Sequence, residues 1–184
     1  MTDRPIPGLK KLSELTGARD DIENDRGSES AADRDPPENR LDPDERECLK
    51  AATRILAYGD RSERQMRERL TDKGFGPVEI AEVLEILREK RWLDDLRFME
   101  NAARGIARTK LCGRGRIRME LMQKVDRETV EIHFDEVMES LSDLDFTAIA
   151  RKRAAKHAGK SREYLAADLK KNGFTREEII AALA

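Results

Sequence analysis

The end of this chain repeats the pattern of a segment near its middle. Residues 62–84 and 161–183 place apolar residues and a glycine at the same positions, at a constant offset. A weaker copy lies between them, around Ile117, Leu121 and Val130. Tandem copies of one small unit form an array in which each unit packs on its neighbours. The repeat therefore favours a protein that binds something long over an enzyme with one buried pocket. The matching pairs are Met66 and Leu165, Leu70 and Leu169, Gly74 and Gly173, Phe75 and Phe174, and Ile80 and Ile179.

The composition indicates that the repeated unit is helical. Charged residues make up 40% of the 184 residues and aromatic residues only 4%. Together with apolar residues at helical spacing, this is typical of amphipathic helices with solvated faces. No alternating run of β-branched residues predicts a strand. We therefore expect an all-α fold of three tandem, helix-turn-helix-like units of three helices each, forming an elongated curved array.

The cysteines and the apolar runs indicate the cellular compartment of the protein. Cys48 and Cys112 lie far apart and form no Cys-x-x-Cys pair, which favours a reducing compartment. No apolar run approaches the roughly 20 residues that cross a bilayer, and the N-terminus has no apolar signal segment. We expect a cytoplasmic, monomeric protein that does not enter a membrane.

Residues 1–43 have the composition of a disordered tail. They hold eleven acids and seven bases, and the stretch 20–40 has almost no apolar side chains. Such a segment cannot bury enough apolar surface to offset the entropy lost on ordering. We expect a mostly disordered, acidic tail over 1–43, followed by three-helix units at 44–92, 93–142 and 143–184.

Helix-capping signals set the helix boundaries inside these units. Gly74 is expected to end a helix in the left-handed conformation, with Phe75 folding back onto that helix. The third helices of the units are predicted at 77–90, 127–141 and 175–184. The N-terminal signals are Asp42 with Pro43 and Glu45, Ser62 with Gln65, Asp94, and Thr175 with Glu178.

Several of these segments together resemble the RecX family of bacterial regulatory proteins. Residues 62–75, with Ser62, Leu70 and Lys73-Gly74-Phe75, are similar to the first signature of that family. Residues 92–98, which read Trp-Leu-Asp-Asp-Leu-Arg-Phe, are similar to a second. Gly113 with Ile117 and Leu121, then Leu169 with Asn172-Gly173-Phe174, complete the family's order. The resemblance covers about residues 44–184.

The resemblance implies a non-enzymatic modulator of the RecA recombinase. Family members are made of three tandem three-helix units and bind in the groove of the RecA filament on DNA. There they restrain filament growth, strand exchange, ATPase activity and coprotease activity. The chain departs from the pattern in its middle unit, where Val125 follows Lys124 without the expected glycine. The geometry of that turn is therefore expected to differ.

Two acid-free basic runs are the candidate binding residues. They fall at the junction of the first and second helices in successive units, so the junctions are expected to line one edge of the array. A basic edge suits a polyanion or an acidic groove. The first unit has a version of this run that is interrupted by acids. The runs comprise Arg104, Arg108, Lys110, Arg114, Arg116 and Arg118, and then Arg151, Lys152, Arg153, Lys156, Lys160 and Arg162.

An acidic segment follows the first run. Residues 126–145 hold eight acids against one arginine, and we expect this segment to face protein while the basic edge faces phosphate or acidic protein.

Gly113 and Gly115 fit a turn that allows a close backbone approach better than a phosphate loop, because no strand precedes them. Trp92 is expected to pack between units, and Tyr58 and Tyr164 are candidates for exposed aromatic residues.

No catalytic, cofactor or metal site is predicted. His133 and His157 lie in different units, without ligand neighbours at metal-binding spacing. A second function stays open, that of a helix-turn-helix transcription regulator that reads DNA directly. Its third helices would have to offer Arg, Asn or Gln to base edges, and here they are acidic or neutral. A purely structural adaptor is a third possibility.

Overall fold

The computed structural model describes residues 41–184, and within that range every regular element is an α-helix. The predicted all-α architecture of three-helix units is confirmed. The predicted tail lies outside the described residues except for its last three positions, 41–43. There Leu41 is buried in the first unit, because an apolar residue beside a helix cap can pack onto the core. Pro43 begins the first helix. The helices are α1 Pro43–Ala57, α2 Glu63–Asp72, α3 Pro77–Glu89, α4 Asp95–Lys110, α5 Arg114–Leu121, α6 Arg127–Ser140, α7 Phe146–Ala155, α8 Arg162–Lys171 and α9 Arg176–Leu183.

The helices begin at the residues that the capping signals indicate. Asp42, Ser62 and Thr175 each form a complete capping box, in which side chain and backbone donate and accept reciprocally. Asp94 accepts a hydrogen bond from the backbone N–H of Arg97. These caps satisfy N–H groups that have no partner within their own helix.

The turns after the second helices differ between units. Gly74 and Gly173 have φ angles of +92° and +80°, and the following Phe75 and Phe174 each donate a backbone hydrogen bond of 3.3 Å to a leucine at the end of the preceding helix. This is the left-handed helix end predicted from the sequence. The middle unit makes its turn without a left-handed residue, and Val125 N–H bonds to the carbonyl of Leu121 at 2.9 Å.

The apolar side chains form two clusters. The first cluster belongs to α1–α3 and includes the fully buried Met66, Leu70 and Leu87. The second cluster runs from Phe98 to Phe174 and joins the helices of the last two units in one core. Trp92 packs against the first cluster, close to the start of the second unit. The division at residues 142 and 143 stays a prediction, because the apolar contacts are continuous there.

Side chains connect the first unit to the second. The hydroxyl of the fully buried Ser62 donates to the carbonyl of Lys124, in the turn that follows α5. The carboxylate of Asp95 accepts the backbone N–H of Glu63 at 2.7 Å. Arg64 reaches the carbonyl of Met122 at 3.4 Å. The N-terminus of α2 is therefore held against the C-terminal turn of α5.

Backbone groups connect the second unit to the third. The N–H groups of Gly113 and Gly115 donate to the carbonyls of Asn172 and Gly173, both at 3.0 Å. A Cβ atom at Gly113 would overlap the backbone of Gly173, and one at Gly173 would overlap the backbone N of Arg116. The close backbone approach that the sequence predicted at Gly113 and Gly115 therefore occurs in the structure.

The two connections have the same polarity. The C-terminal turn of α8 meets the N-terminus of α5, and the C-terminal turn of α5 meets the N-terminus of α2. Carbonyl groups at one helix end thereby satisfy donors at the next, and the helix dipoles face each other favourably. The second helices of the three units are joined head to tail, in the order opposite to the chain.

Candidate binding interface

The two predicted basic runs meet where the second unit joins the third. The first run covers the end of α4, the following loop and most of α5, and the second covers α7, its loop and the start of α8. Arg153 of the second run donates to the carbonyls of Lys110 and Leu111 at 3.2 and 3.5 Å. The structure therefore brings the runs together, although several of their cations are engaged inside the protein.

Arg104 is held by the acidic segment. Its guanidinium contacts both carboxylate oxygens of Asp143 at 2.7 and 2.6 Å and donates to the carbonyl of Ser140 at 2.9 Å. The bond from Arg104 lowers the pKa of the Asp143 carboxyl. Both oxygens are contacted by the one nitrogen Nη1, and charge-assisted bonds of this kind position both side chains.

Glu120 neutralises two further predicted cations. Its carboxylate is only 5% exposed and lies 2.6 Å from the ammonium of Lys110 and 2.9 Å from the guanidinium of Arg116. The bond with Lys110 makes the largest contribution to lowering the pKa of Glu120. Neither cation is therefore available to a ligand with its full charge.

The third unit contains a similar pair. Arg153 binds both carboxylate oxygens of Asp168, at 2.6 and 3.1 Å, and this bond lowers the pKa of Asp168. Arg151 donates to the carbonyl of Ala181 in α9 at 2.9 Å. Both arginines thus hold elements of the protein together, whatever else they bind.

The other seven candidates are exposed and remain the predicted binding residues. Arg118 lies 5.5 Å from the ring centre of Phe134, and Lys160 lies 5.8 Å from that of Tyr164, which is 47% exposed. The remaining five have no side-chain hydrogen bond or salt bridge to any residue of the described range 41–184. They are Arg108, Arg114, Lys152, Lys156 and Arg162.

The interrupted basic run of the first unit contributes to a basic surface, although the run was not among the candidate binding residues. Arg54 of α1, Arg69 of α2 and Lys73 line one cavity. The nearby acids that interrupt this run along the chain, Glu63 and Glu68, pair with arginines on another part of α2. Charge density along the chain was the wrong measure, because a helix turns successive residues in different directions.

Within the described residues, no group of three or more His, Cys, Asp or Glu side chains could hold a metal ion, and no helix is long and apolar enough to cross a bilayer. His133 contacts Glu136 at 3.2 Å, and His157 packs edge-on against Tyr164. Both cysteines are buried, and burial raises the pKa of the Cys48 thiol to about 11. The cysteines and His157 therefore contribute to packing, and His133 makes a polar contact at the surface.

Comparison with known proteins identifies the family. A model of the first three-helix domain of RecX matches residues 48–87, and one of the second matches residues 94–132. Regulatory protein RecX of Halorhodospira halophila is 34% identical over 143 residues, which cover 73% of this chain and 84% of that protein. The chain belongs to the RecX family. RecX of Vibrio vulnificus is 29% identical over 149 residues, 79% of this chain and 97% of the relative.

The fold agrees with this assignment. The crystal structure of RecX from Lactobacillus salivarius superposes with a TM-score of 0.62 over 78% of this chain and 96% of that chain, at 18% identity. The RecX relatives are named as regulatory proteins, not as enzymes. The resemblance seen in the sequence motifs is therefore confirmed at the level of family and fold.

Proposed function

We propose that this RecX protein binds in the groove of the RecA filament on single-stranded DNA and restrains the recombinase, ATPase and coprotease activities of RecA. It acts by occupying the groove, and the proposal assigns it no chemical step, cofactor or metal. The exposed cations of the two basic runs contact phosphate or acidic protein.

The observation that carries the proposal is the head-to-tail joining of successive units. It arranges the junctions between first and second helices in series, and exposed cations such as Arg114 and Lys156 lie at two of them. Serial sites along one body suit a polymer with a regular repeat, because each site contacts a different subunit or phosphate. Contact with more than one RecA protomer would compete with duplex DNA or with growth of the filament.

The direct test titrates the protein into RecA strand-exchange and ATPase assays. We expect both activities to fall, for the full chain and for a variant that lacks residues 1–40. The truncation stops before Leu41, because that residue belongs to the core. Unchanged RecA activities at saturating protein would contradict the proposal.

A charge-neutralised variant tests the basic runs separately. Replacing Arg108, Arg114 and Lys156 by Gln removes exposed cations that have no salt bridge within residues 41–184. On single-stranded DNA each lost phosphate contact should reduce the salt slope of log affinity by about 0.7. A control with the same charge loss replaces by Gln the residues Arg46, Lys170 and Arg176, which are also exposed and have no salt bridge within residues 41–184. Equal affinities and slopes for the two variants, on bare DNA and on filaments, would exclude the basic runs from the interface.

The alternative, a sequence-specific transcription regulator, has less support. The third helices α3, α6 and α9 would serve as recognition helices, and each carries more acids than bases. Acidic helices are repelled by phosphate and offer few donors to the major groove. Preference for one duplex sequence over random DNA and over filaments would favour this alternative.

A further inference from the structure

The second helices differ at one position of the repeat. The residue that precedes the fully buried leucine is Glu120 in α5 and Asp168 in α8, but it is Arg69 in α2. In the second and third units this carboxylate neutralises a cation from the first helix of the same unit, Lys110 or Arg153, at 2.6 Å. The first unit therefore has a cation where the others have the neutralising acid.

Arg69 faces a shallow cavity between α1 and α2 that we call the unit-one cleft. The cleft has a volume of about 490 Å³, and it adjoins a second hollow of about 580 Å³ that shares Ala51, Arg54 and Lys73. Glu47 is the single acid in the two linings. The cations of the two linings are Lys50, Arg54, Arg61, Arg69 and Lys73.

The charges of the unit-one cleft are not neutralised within the described part of the chain. Over residues 41–184, the side chains of Arg54, Arg69 and Lys73 form no hydrogen bond or salt bridge. Arg61 donates from Nη1 to the carbonyl of Asp60 at 2.8 Å, but its Nε is buried without an acceptor among these residues. The cleft thus concentrates positive charge around a concave surface, which raises its affinity for anions.

The rest of the cleft is apolar. Ala51 and Ile55 lie in its wall, and Tyr58 at its edge is 87% exposed. Phe75, which is half-buried, lines the adjoining hollow. An apolar surface of this kind gains free energy when it is covered by another apolar side chain.

We propose that the unit-one cleft binds an acidic peptide segment that carries an apolar or aromatic anchor residue. Guanidinium groups such as those of Arg54 and Arg69 bind carboxylates with two parallel hydrogen bonds. The anchor side chain packs on Tyr58 and Ile55. Single-stranded DNA fits less well, because the cations surround a compact hollow, whereas a nucleic-acid strand is bound along an extended groove. This site is separate from the basic runs of the second and third units.

Fluorescence anisotropy with the full chain tests the proposal. The probe is a short, fluorescein-labelled peptide rich in aspartate that ends in phenylalanine, and the same peptide ending in alanine tests the anchor. Arg69→Asp introduces the kind of side chain that α8 has at this position, so the fold is expected to persist. We expect this variant to bind the peptide at least about tenfold more weakly, which corresponds to the loss of one charge-assisted contact.

Matched controls separate the cleft from general charge. Arg176→Asp makes the same charge change at an exposed helix start in the third unit and should leave binding within about twofold of the parent protein. If Arg69→Asp alters the circular dichroism spectrum, the double variant Arg54→Gln, Lys73→Gln replaces it. Equal binding by both charge variants, or equal binding of the two peptides, would overturn the proposal. It would also fail if oligo(dT) bound more tightly than the peptide and displaced it.

Discussion

The two connections between units use different chemical groups for the same geometry. The α2–α5 connection relies on side chains, those of Ser62, Arg64 and Asp95. The α5–α8 connection relies on backbone donors of Gly113 and Gly115 and on the left-handed turn at Gly173. A side-chain contact can be removed one atom at a time, whereas a backbone contact fails when a single Cβ atom intrudes.

The apolar packing also differs between the two connections. The second and third units share one cluster, whereas the first unit has its own. The first unit is consequently attached through a polar connection, and the third is attached through both backbone contacts and apolar packing. Substitutions at the α5–α8 connection should therefore cost more stability than those at the α2–α5 connection.

The largest effect is expected for Gly173→Ala. The left-handed φ of +80° costs an alanine about 1–2 kcal/mol, and overlap of its Cβ with the backbone of Gly115 and Arg116 adds about 1–3 kcal/mol. The free energy of unfolding, from urea titration followed by circular dichroism, should fall by about 2–5 kcal/mol. Gly74→Ala is the matched control, since φ is +92° there but no atom lies within 4 Å of the added Cβ. Equal losses for the two variants would mean that the close approach contributes nothing.

A smaller loss is expected for Arg153→Ala, which removes the pair with Asp168 and the bonds to the carbonyls of Lys110 and Leu111. Both side chains of the pair are mostly buried, so the loss should be about 2–3 kcal/mol near neutral pH. Because the pKa of Asp168 is lowered in the folded state, the pair stabilises the protein above the ordinary aspartate pKa of about 3.9. That stabilisation disappears as pH falls through the lowered pKa.

Urea titrations of the parent protein and of Arg153→Ala across this pH range measure the effect. The difference between them should shrink as the solution becomes more acidic. Lys156→Ala, an exposed change at the end of the same helix, should stay within about 0.5 kcal/mol of the parent protein. A difference for Arg153→Ala that is independent of pH would show that the ion pair is not its cause.

The sequence predicted the helices well because their signals are local. Capping residues such as Asp42, Ser62 and Thr175 act within one turn, and apolar spacing depends only on the helical period. The turn at Lys124 was also expected to differ from the others, since no glycine follows it. These features can be predicted without knowing which units are in contact.

The binding surface was predicted less completely, because charge pairing depends on contacts between distant residues. Asp143 lies 39 residues from Arg104, and Asp168 lies 15 residues from Arg153. An acid-free run along the chain therefore did not mean an acid-free surface. The interrupted basic run of the first unit was recognised, but comparing the repeats, Arg69 against Asp168, would also have indicated that its second helix has a cation where the third unit has the neutralising acid.

Ser62→Ala tests the side-chain connection. The hydroxyl donates to the carbonyl of Lys124 and also accepts the backbone N–H of Gln65, so its removal should cost about 1–2 kcal/mol. Ser161→Ala is the matched control, because the Ser161 hydroxyl also accepts the backbone N–H three residues on, that of Tyr164, but is exposed. It should cost about 0.5–1 kcal/mol. Urea titration followed by circular dichroism measures both losses, and fluorescence of Trp92, which packs on the first cluster, reports unfolding of the first unit. Equal losses at the two serines would mean that the bond to Lys124 contributes no stability.

The smallest effect is expected at Asp95, and it depends on pH in the direction opposite to that of Arg153. Burial raises the pKa of Asp95 in the folded state, with smaller contributions from the nearby acids Glu63, Asp126 and Asp94. The folded protein therefore binds this proton more tightly than the unfolded chain, and ionisation of Asp95 reduces stability as pH rises above about 4.

Asp95→Asn keeps an oxygen that can accept the Glu63 N–H but does not ionise. Relative to the parent protein it should gain stability between acidic and neutral pH, by less than the loss in Ser62→Ala. Trp92 fluorescence during urea titrations at several pH values measures the gain, and the exposed Asp135→Asn is the control. If the offset between Asp95→Asn and the parent protein is the same at every pH, the carboxylate is not desolvated in the α2–α5 connection. That connection would then be open to water at Asp95.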